Sequence, residues 1–360
     1  MNFMIGKSRE GNTVYRGHSI NEHITLIGAS GTGKSTAALK LILNAVESGD
    51  LVIVLNWRNS FSADVLGERA DIYKMQRKVI IPSFEGIKIP LFSPYRSNDN
   101  VIEPTALMVN RICKLFAQSV GLSDAQQYKV KQAISDLFEL DAYHEDGISS
   151  LEVLLSSGGS SAEKAIEKMS PFFVTNLLRD GDFISSENMP IIEIDINDFE
   201  LCDQKVIVEF LLAWLFQYGQ KGGFKEHGVV IYIDEAQNLS FKSDSPIYML
   251  LNESRKFNIK LLMAMPSIRA GCKRGMDITT MAGTNLFFKP MATDLEYAAK
   301  LIDSGNKSRC IKKLSLLKVG ECLATGSFII NNKEVNRPTT LISVGCEPSV
   351  DKLFSTSDPK

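Results

Sequence analysis

The sequence predicts an α/β fold in which a mostly parallel sheet is flanked by helices. Short apolar runs typical of strands buried on both faces recur along the chain, and helical patterns alternate with them. A glycine-rich loop joins the first of these runs to a helix, and another run ends in two acidic residues. The clearest strand patterns are 23–27, 51–55, 190–196, 229–233 and 259–265, and the clearest helical patterns are 36–46 and 203–219.

Length and composition are those of an ordinary globular protein. The chain has 360 residues, of which 44% are hydrophobic and 23% charged, so it forms one large α/β domain or two small ones. The formal net charge is −2. Binding to a polyanion would therefore depend on local basic patches rather than on overall charge.

The cysteines predict reduced thiols in a cytoplasmic protein. No C-x-x-C pair and no histidine at ligand spacing accompanies them, which argues against a zinc site. The N-terminus lacks a secretory leader pattern, and no apolar run is long enough to cross a bilayer, so we expect no membrane insertion. The cysteines are Cys113, Cys202, Cys272, Cys310, Cys322 and Cys346.

The pattern along the chain predicts one nucleotide-binding domain with short extensions. Residues 1–22 are polar and are interpreted as an N-terminal arm or short hairpin. The domain spans 23–347 and contains a helical insertion at about 101–185, and 348–360 is interpreted as a flexible tail.

Helix-start signals define the insertion. Ser123 and Gln126 have the spacing of a capping box, in which each residue satisfies a backbone N–H near the start of the helix. Ser149 and Glu152 have the same spacing and predict another start.

The glycine-rich loop matches the phosphate-binding pattern G-x-x-x-x-G-K-[ST]. Its glycines allow several backbone N–H groups to point at one anionic group. Lys34 is expected to contact the β- and γ-phosphates, and Ser35 to ligate Mg²⁺. A strand before the loop and a helix after it are the context that the motif requires. The predicted nucleotide-binding residues are Gly28, Ala29, Ser30, Gly31, Thr32, Gly33, Lys34, Ser35 and Thr36.

The paired acids at 234–235 follow the apolar run at 229–233. A parallel strand buried on both faces delivers its C-terminal residues to the ligand-binding edge of the sheet. Asp234 is then placed to hold Mg²⁺, and Glu235 to orient or deprotonate an attacking water. The alternative is that the pair merely ends a strand at a solvated turn. A second carboxylate beside the metal site favours hydrolysis over phosphotransfer, and the guanine-reading sequence N-K-x-D is absent.

Together these segments resemble the HerA/FtsK superfamily of ring-forming motor ATPases, which includes the conjugative-transfer motors. The two phosphate-site motifs are typical of ATPases generally. The E-x-R-K-F element and the closing segment point to this superfamily in particular. The segments that carry the resemblance are 24–36, 229–239, 253–259 and 317–326, with Arg337-Pro338 just after the last.

The resemblance implies a RecA-like (ASCE) P-loop NTPase domain that hydrolyses ATP with Mg²⁺. It also implies a homo-oligomer, a hexameric ring, with ATP sites between subunits and a central pore for DNA or another polymer. Arg255 matches the arginine of E-x-R-K-F and is expected to contact phosphate within or between subunits, unless it only pairs with Glu253 or Asp303 on the surface. Lys289 falls where relatives often carry an arginine, but a lysine lacks the bidentate fork of an arginine finger.

Two positions depart from the superfamily pattern. Relatives usually present a γ-phosphate-sensing glutamine after the strand at 259–264, and this chain has Met265 and Pro266 there. Relatives often show an acid after the second strand, where this chain has Asn56 to Asn59.

The sequence leaves two functions open. The first is a motor that drives DNA through a ring. The second is an ATP-gated oligomeric scaffold or regulator of a nuclease or other effector, for example in defence against foreign DNA. The candidate polymer-facing residues are Arg269, Lys273 and Arg274 in one loop and Lys307, Arg309, Lys312 and Lys313 in another, although such short basic runs are usually solvated faces.

Overall fold

A computed structural model of the chain describes residues 3–17, 21–61, 66–67, 70–95, 101–144, 146–174, 177–184, 189–269 and 278–344. The candidate DNA-contacting residues Lys273 and Arg274, and the predicted tail at 348–360, lie outside the described residues.

Strands and helices alternate through most of the chain. The strands are β1 (Met4–Ser8), β2 (Thr13–Arg16), β3 (Ile24–Ile27), β4 (Leu51–Asn56), β5 (Arg77–Ile80), β6 (Ile87–Lys88), β7 (Leu178–Arg179), β8 (Ile191–Asp195), β9 (Val229–Ile233), β10 (Ile259–Met265), β11 (Thr284–Phe287), β12 (Glu321–Ile330) and β13 (Lys333–Ser343). The helices are α1 (Lys34–Glu47), α2 (Ala70–Met75), α3 (Pro82–Glu85), α4 (Thr105–Val120), α5 (Asp124–Glu139), α6 (Gly147–Ser156), α7 (Ser160–Val174), α8 (Leu201–Gln220), α9 (Pro246–Glu253), α10 (Ile278–Met281), α11 (Leu295–Ile302) and α12 (Lys307–Ser315).

A parallel sheet forms the centre of the fold. Its strands lie side by side in the order β11-β3-β10-β9-β4-β8-β5, and every neighbouring pair is parallel. Strand β10 therefore separates β3 from β9. The predicted α/β fold with a mostly parallel sheet between helices is confirmed.

The apolar strand patterns arise because both faces of this sheet are covered. Alternate residues of a strand point to opposite faces. In β9, Val230 and Tyr232 pack in the cluster that contains α1, whereas Ile231 and Ile233 pack in the cluster that contains α8. Two hydrophobic layers therefore hold β9 rigidly between them.

The N-terminal residues extend the same sheet. Strands β1 and β2 form an antiparallel hairpin. Lys7 of β1 lies opposite Ser343 of β13, and Tyr15 of β2 lies opposite Ile329 of β12. The described part of 1–22 is thus a hairpin that is hydrogen-bonded to the last two strands of the domain, rather than an arm projecting from it.

Helices α4 to α7 occupy the predicted insertion. The capping box of Ser123 and Gln126 is confirmed, because each side chain bonds the other's backbone N–H. The start predicted at Ser149 is wrong: Asp146 is the cap, and its carboxylate accepts the N–H of Ser149 at 3.1 Å. No helix in the described ranges combines the length and hydropathy needed to cross a membrane.

Candidate nucleotide-binding site

The glycine-rich loop leaves the carboxyl end of β3 and leads directly into α1. Gly31 and Gly33 have φ angles of 75° and 97°, a region that favours glycine. A Cβ on Gly33 would lie 2.8 Å from the backbone nitrogen of Gly320. Position 33 thus requires glycine for two reasons: its φ angle is positive, and the backbone of Gly320 leaves no space for a side chain.

Backbone hydrogen bonds hold the loop from outside. The N–H of Ala29 donates to the carbonyl of Lys289 at 2.9 Å, just beyond β11. The N–H of Gly320 donates to the carbonyl of Thr32 at 3.0 Å, and the carbonyl of Gly320 accepts the N–H of Val344 at 2.9 Å. Strands β11, β12 and β13 therefore all support the conformation of this loop.

Inside the loop, the Lys34 ammonium and the Thr32 hydroxyl both donate to the carbonyl of Ala29, each at 2.8 Å. Burial lowers the pKa of Lys34, and the charges of Asp234 and Glu235 oppose this shift. The loop thus positions its cation next to the acidic pair.

The first turn of α1 is suited to an anion. It begins at Lys34 and contains the half-buried Ser35 and Thr36 but no acidic residue. The first N–H groups of a helix have no intrahelical acceptor, and the helix dipole makes this end positive. A phosphate group is the usual ligand of such an N-terminus when a glycine loop precedes it.

The acidic pair lies directly beyond β9. Asp234 Oδ1 accepts the N–H of Glu235 at 2.9 Å. Glu235 has φ 50° and ψ 37°, a left-handed conformation that is unusual for a residue with a side chain. The amide of Gln237 donates to the Glu235 carboxylate. This unusual backbone directs two successive carboxylates to one edge of the sheet.

The loop and the acidic pair lie at the same edge. Strands β3 and β9 are both parallel to β10, so their carboxyl ends lie two strand spacings, about 10 Å, apart. Oxygen ligands are the ones that Mg²⁺ prefers, and a hydroxyl from Ser35 and a carboxylate from Asp234 fit that preference. The described residues can therefore supply the usual protein ligands of a magnesium–nucleotide complex.

Arg255 does not reach this edge in its own chain. It is exposed on the 3-10 turn Ser254–Phe257, just before β10 begins. The loop lies at the other end of β10, where the N–H of Gly28 donates to the carbonyl of Met265. The seven residues of β10 span about 20 Å, so Arg255 lies far from the loop of its own chain in this structure. Contact between subunits stays a prediction.

Lys289 contacts the loop through its backbone. Its carbonyl binds Ala29 and its side chain is exposed.

The described residues of the predicted basic patches are exposed or half-buried, and two of them are paired with carboxylates. Arg269 lies 4.0 Å from a carboxylate oxygen of Asp294, and Lys307 lies 2.9 Å from Glu296. Arg309, Lys312 and Lys313 are exposed on α12.

One buried residue that supports the acidic turn was not predicted from the sequence. Glu209 lies in the buried face of α8, and its Oε1 accepts the N–H of Ser240 at 2.7 Å, just after the 3-10 turn Ala236–Asn238. Burial raises the pKa of Glu209 to about 7. A lone acid inside the apolar stretch 206–216 was the available signal.

Comparisons with known proteins identify the fold. VirB4 of Thermoanaerobacter pseudethanolicus superposes with a TM-score of 0.69 at 17% identity, over 96% of this chain and 97% of that one. The bacterial conjugative coupling protein TrwBΔN70 superposes with a TM-score of 0.60 at 16% identity, over 89% and 84%. TrwB in complex with ADP and Mg²⁺ gives 0.57 at 14% identity, over 89% and 85%.

No protein-family model and no curated protein sequence matches the chain. The likeness to these solved structures, at 14–17% identity, shows that the chain shares their fold.

The burial of Glu209 predicts a specific pH dependence of stability. A glutamate in an unfolded chain has a pKa near 4.3, so the fold favours the neutral carboxyl. The contribution of the buried Glu209 carboxyl to the free energy of unfolding is therefore complete below about pH 4.3. It is lost as the pH rises to about 7, the pKa of Glu209 in the folded protein. Glu209→Gln keeps an acceptor for Ser240 but cannot ionise. Between pH 4.5 and 7.5 we expect the wild type to lose about 3 kcal/mol of unfolding free energy relative to this variant.

Urea denaturation at several pH values measures this difference, and the exposed Glu163→Gln is the matched control. Identical pH profiles for wild type and Glu209→Gln would contradict the assignment.

Proposed function

We propose that this protein is a Mg²⁺-dependent ATPase. The observation that carries the proposal is the convergence of the glycine loop and the pair Asp234–Glu235 at one edge of the sheet, with β10 between their strands. Lys34 and the N–H groups of the loop would bind phosphate oxygens, and Ser35 and Asp234 would hold the metal. Bound Mg²⁺ supplies charge neutralisation at the phosphates. Glu235 would orient a water and accept its proton.

We further propose that ATP hydrolysis moves DNA through a homo-oligomeric ring, a hexamer by resemblance. The fold is shared over 97% of the solved VirB4 chain and 84% of the solved TrwBΔN70 chain. TrwB is described as a conjugative and plasmid coupling protein, and it has been solved with ADP and Mg²⁺. The position of Arg255 supports an assembly in which two subunits form each ATP site. Arg255 is exposed at the sheet edge opposite the glycine loop of its own chain, where a neighbouring subunit could be reached.

The second candidate is an ATP-gated scaffold for a nuclease or other effector. One observation favours it: Met265 and Pro266 follow β10, where relatives carry a sensor glutamine. Without that amide, the coupling of hydrolysis to movement would need another group or a partner protein.

Substitutions at the site separate binding from hydrolysis. Lys34→Ala removes the loop's cation, and we expect ATP affinity to fall by more than about tenfold. Glu235→Gln keeps the loop intact, so ATP binding should persist while kcat falls by about 100-fold or more. Calorimetry and phosphate-release assays measure the two effects. Normal turnover by Glu235→Gln would show that the general base is another residue.

DNA distinguishes the two candidate functions. For a motor we expect duplex or single-stranded DNA to raise turnover, and DNA affinity to fall steeply with salt. Replacing Lys312 and Lys313 by alanine should reduce that salt dependence, because each phosphate contact releases about one counterion. An ATP turnover rate that DNA does not change, in a protein that co-purifies with a nuclease, would favour the scaffold.

Mixing two inactive variants tests the shared site. Arg255→Ala subunits keep an intact loop, and Lys34→Ala subunits keep an intact arginine. If Arg255 completes the site of a neighbour, each variant alone is slow and their mixture regains turnover. Lys256→Ala, which removes the adjacent exposed cation, should retain full activity. A mixture that stays inactive, or full activity of Arg255→Ala alone, would exclude this role.

A further inference from the structure

The carboxylate of Asp234 is held at both oxygens. Oδ1 accepts the backbone N–H of Glu235 at 2.9 Å, and Oδ2 accepts the hydroxyl of Ser60. Ser60 belongs to no phosphate-site motif. It lies on the loop after β4, the strand that neighbours β9 on the side away from β10.

The position of Ser60 is fixed by a buried asparagine. The N–H of Ser60 donates to Asn56 Oδ1 at 3.0 Å, which closes the loop over four residues. Asn56 is 1% exposed and ends β4. Its amide nitrogen donates to Glu193 Oε1 of β8 at 2.7 Å. Asn56 is thus both acceptor and donor in one chain of hydrogen bonds.

Glu193 anchors the far end of this chain. It is 3% exposed, and its Oε2 accepts the hydroxyl of Tyr73 at 2.9 Å and the guanidinium of Arg77. Burial and the nearby charge of Glu193 raise the pKa of Tyr73, so its hydroxyl remains a donor. A buried carboxylate is stable only when it is paired and hydrogen-bonded, and here the partners occupy both of its oxygens.

We propose that Ser60 is a positioning residue for the metal-binding carboxylate of Asp234, and that Asn56 and Glu193 hold Ser60 in place. This rests on the proposed ATPase function. Each carboxylate oxygen has two lone-pair directions, so Oδ2 can bind Ser60 with one and face Mg²⁺ or a metal-bound water with the other. Partners that orient a ligand in this way typically change metal affinity or activity by about 10- to 100-fold when they are removed.

The same chain accounts for an asparagine where relatives often show an acid. An aspartate at 56 would place a second buried carboxylate beside Glu193, and like charges at that distance repel. The amide of Asn56 can donate to Glu193 and also accept from Ser60, whereas an ionised aspartate could only accept.

Ser60→Ala tests the proposal through its magnesium dependence. We expect the Mg²⁺ concentration for half-maximal ATPase activity to rise about tenfold. Binding of ATP without metal, measured by calorimetry, should be unchanged. Ser60→Thr keeps the hydroxyl and should restore the wild-type titration. Asn56→Leu should shift the Mg²⁺ titration in the same direction as Ser60→Ala.

The matched control is Ser83→Ala. Ser83 also donates its hydroxyl to a carboxylate, Asp198, at 2.6 Å, but on the exposed surface near β5, three strands from β9. The Mg²⁺ dependence of ATPase activity in Ser83→Ala should match that of the wild type. A Mg²⁺ titration of Ser60→Ala that matches the wild type, in an enzyme that Lys34→Ala inactivates, would overturn this proposal alone. A wild type with no Mg²⁺-dependent nucleotide binding would overturn the proposed function, and this proposal with it.

Discussion

The site depends on the parallel register of β3, β10 and β9. Met265 lies opposite Ile27 on one side of β10, and Met263 lies opposite Ile233 on the other, so the three strands end at nearly the same level. The glycine loop and the acidic pair therefore meet at one edge although about 200 residues separate them in the sequence. Apolar side chains on both faces keep this register, because a shift of one residue would exchange the two faces of a strand.

The two segments at that edge could be predicted from the sequence because each of them is local. The glycine loop carries its own turn geometry and cation within eight residues, and the acidic pair follows directly from a buried strand. The capping box at Ser123 was predictable for the same reason, since its two partners lie three residues apart. At Ser149 the same spacing misled, because Asp146 offers a competing side-chain acceptor to the same N–H.

Features that join distant segments were not predictable. Ser60 meets Asp234, and Glu209 meets Ser240, only after the strands have assembled. The pairing of the N-terminal hairpin with the last strands likewise has no local signal. For Arg255 the sequence contains a motif, but the motif does not show how far from the glycine loop the residue lies. Arg255 is close to β10 in the sequence. In the fold, however, the full length of β10 separates Arg255 from the glycine loop.

The contact between Gly33 and Gly320 has a consequence for dissecting this protein. Gly320 meets the phosphate loop with its N–H and meets the end of β13 with its carbonyl. A fragment that ends after β11 would keep both phosphate-site motifs. It would lack Gly320, whose N–H donates to the carbonyl of Thr32 in the loop. We therefore expect a fragment bounded by the two phosphate-site motifs to be too short, and a fragment that also includes β12 and β13 to keep the loop in place.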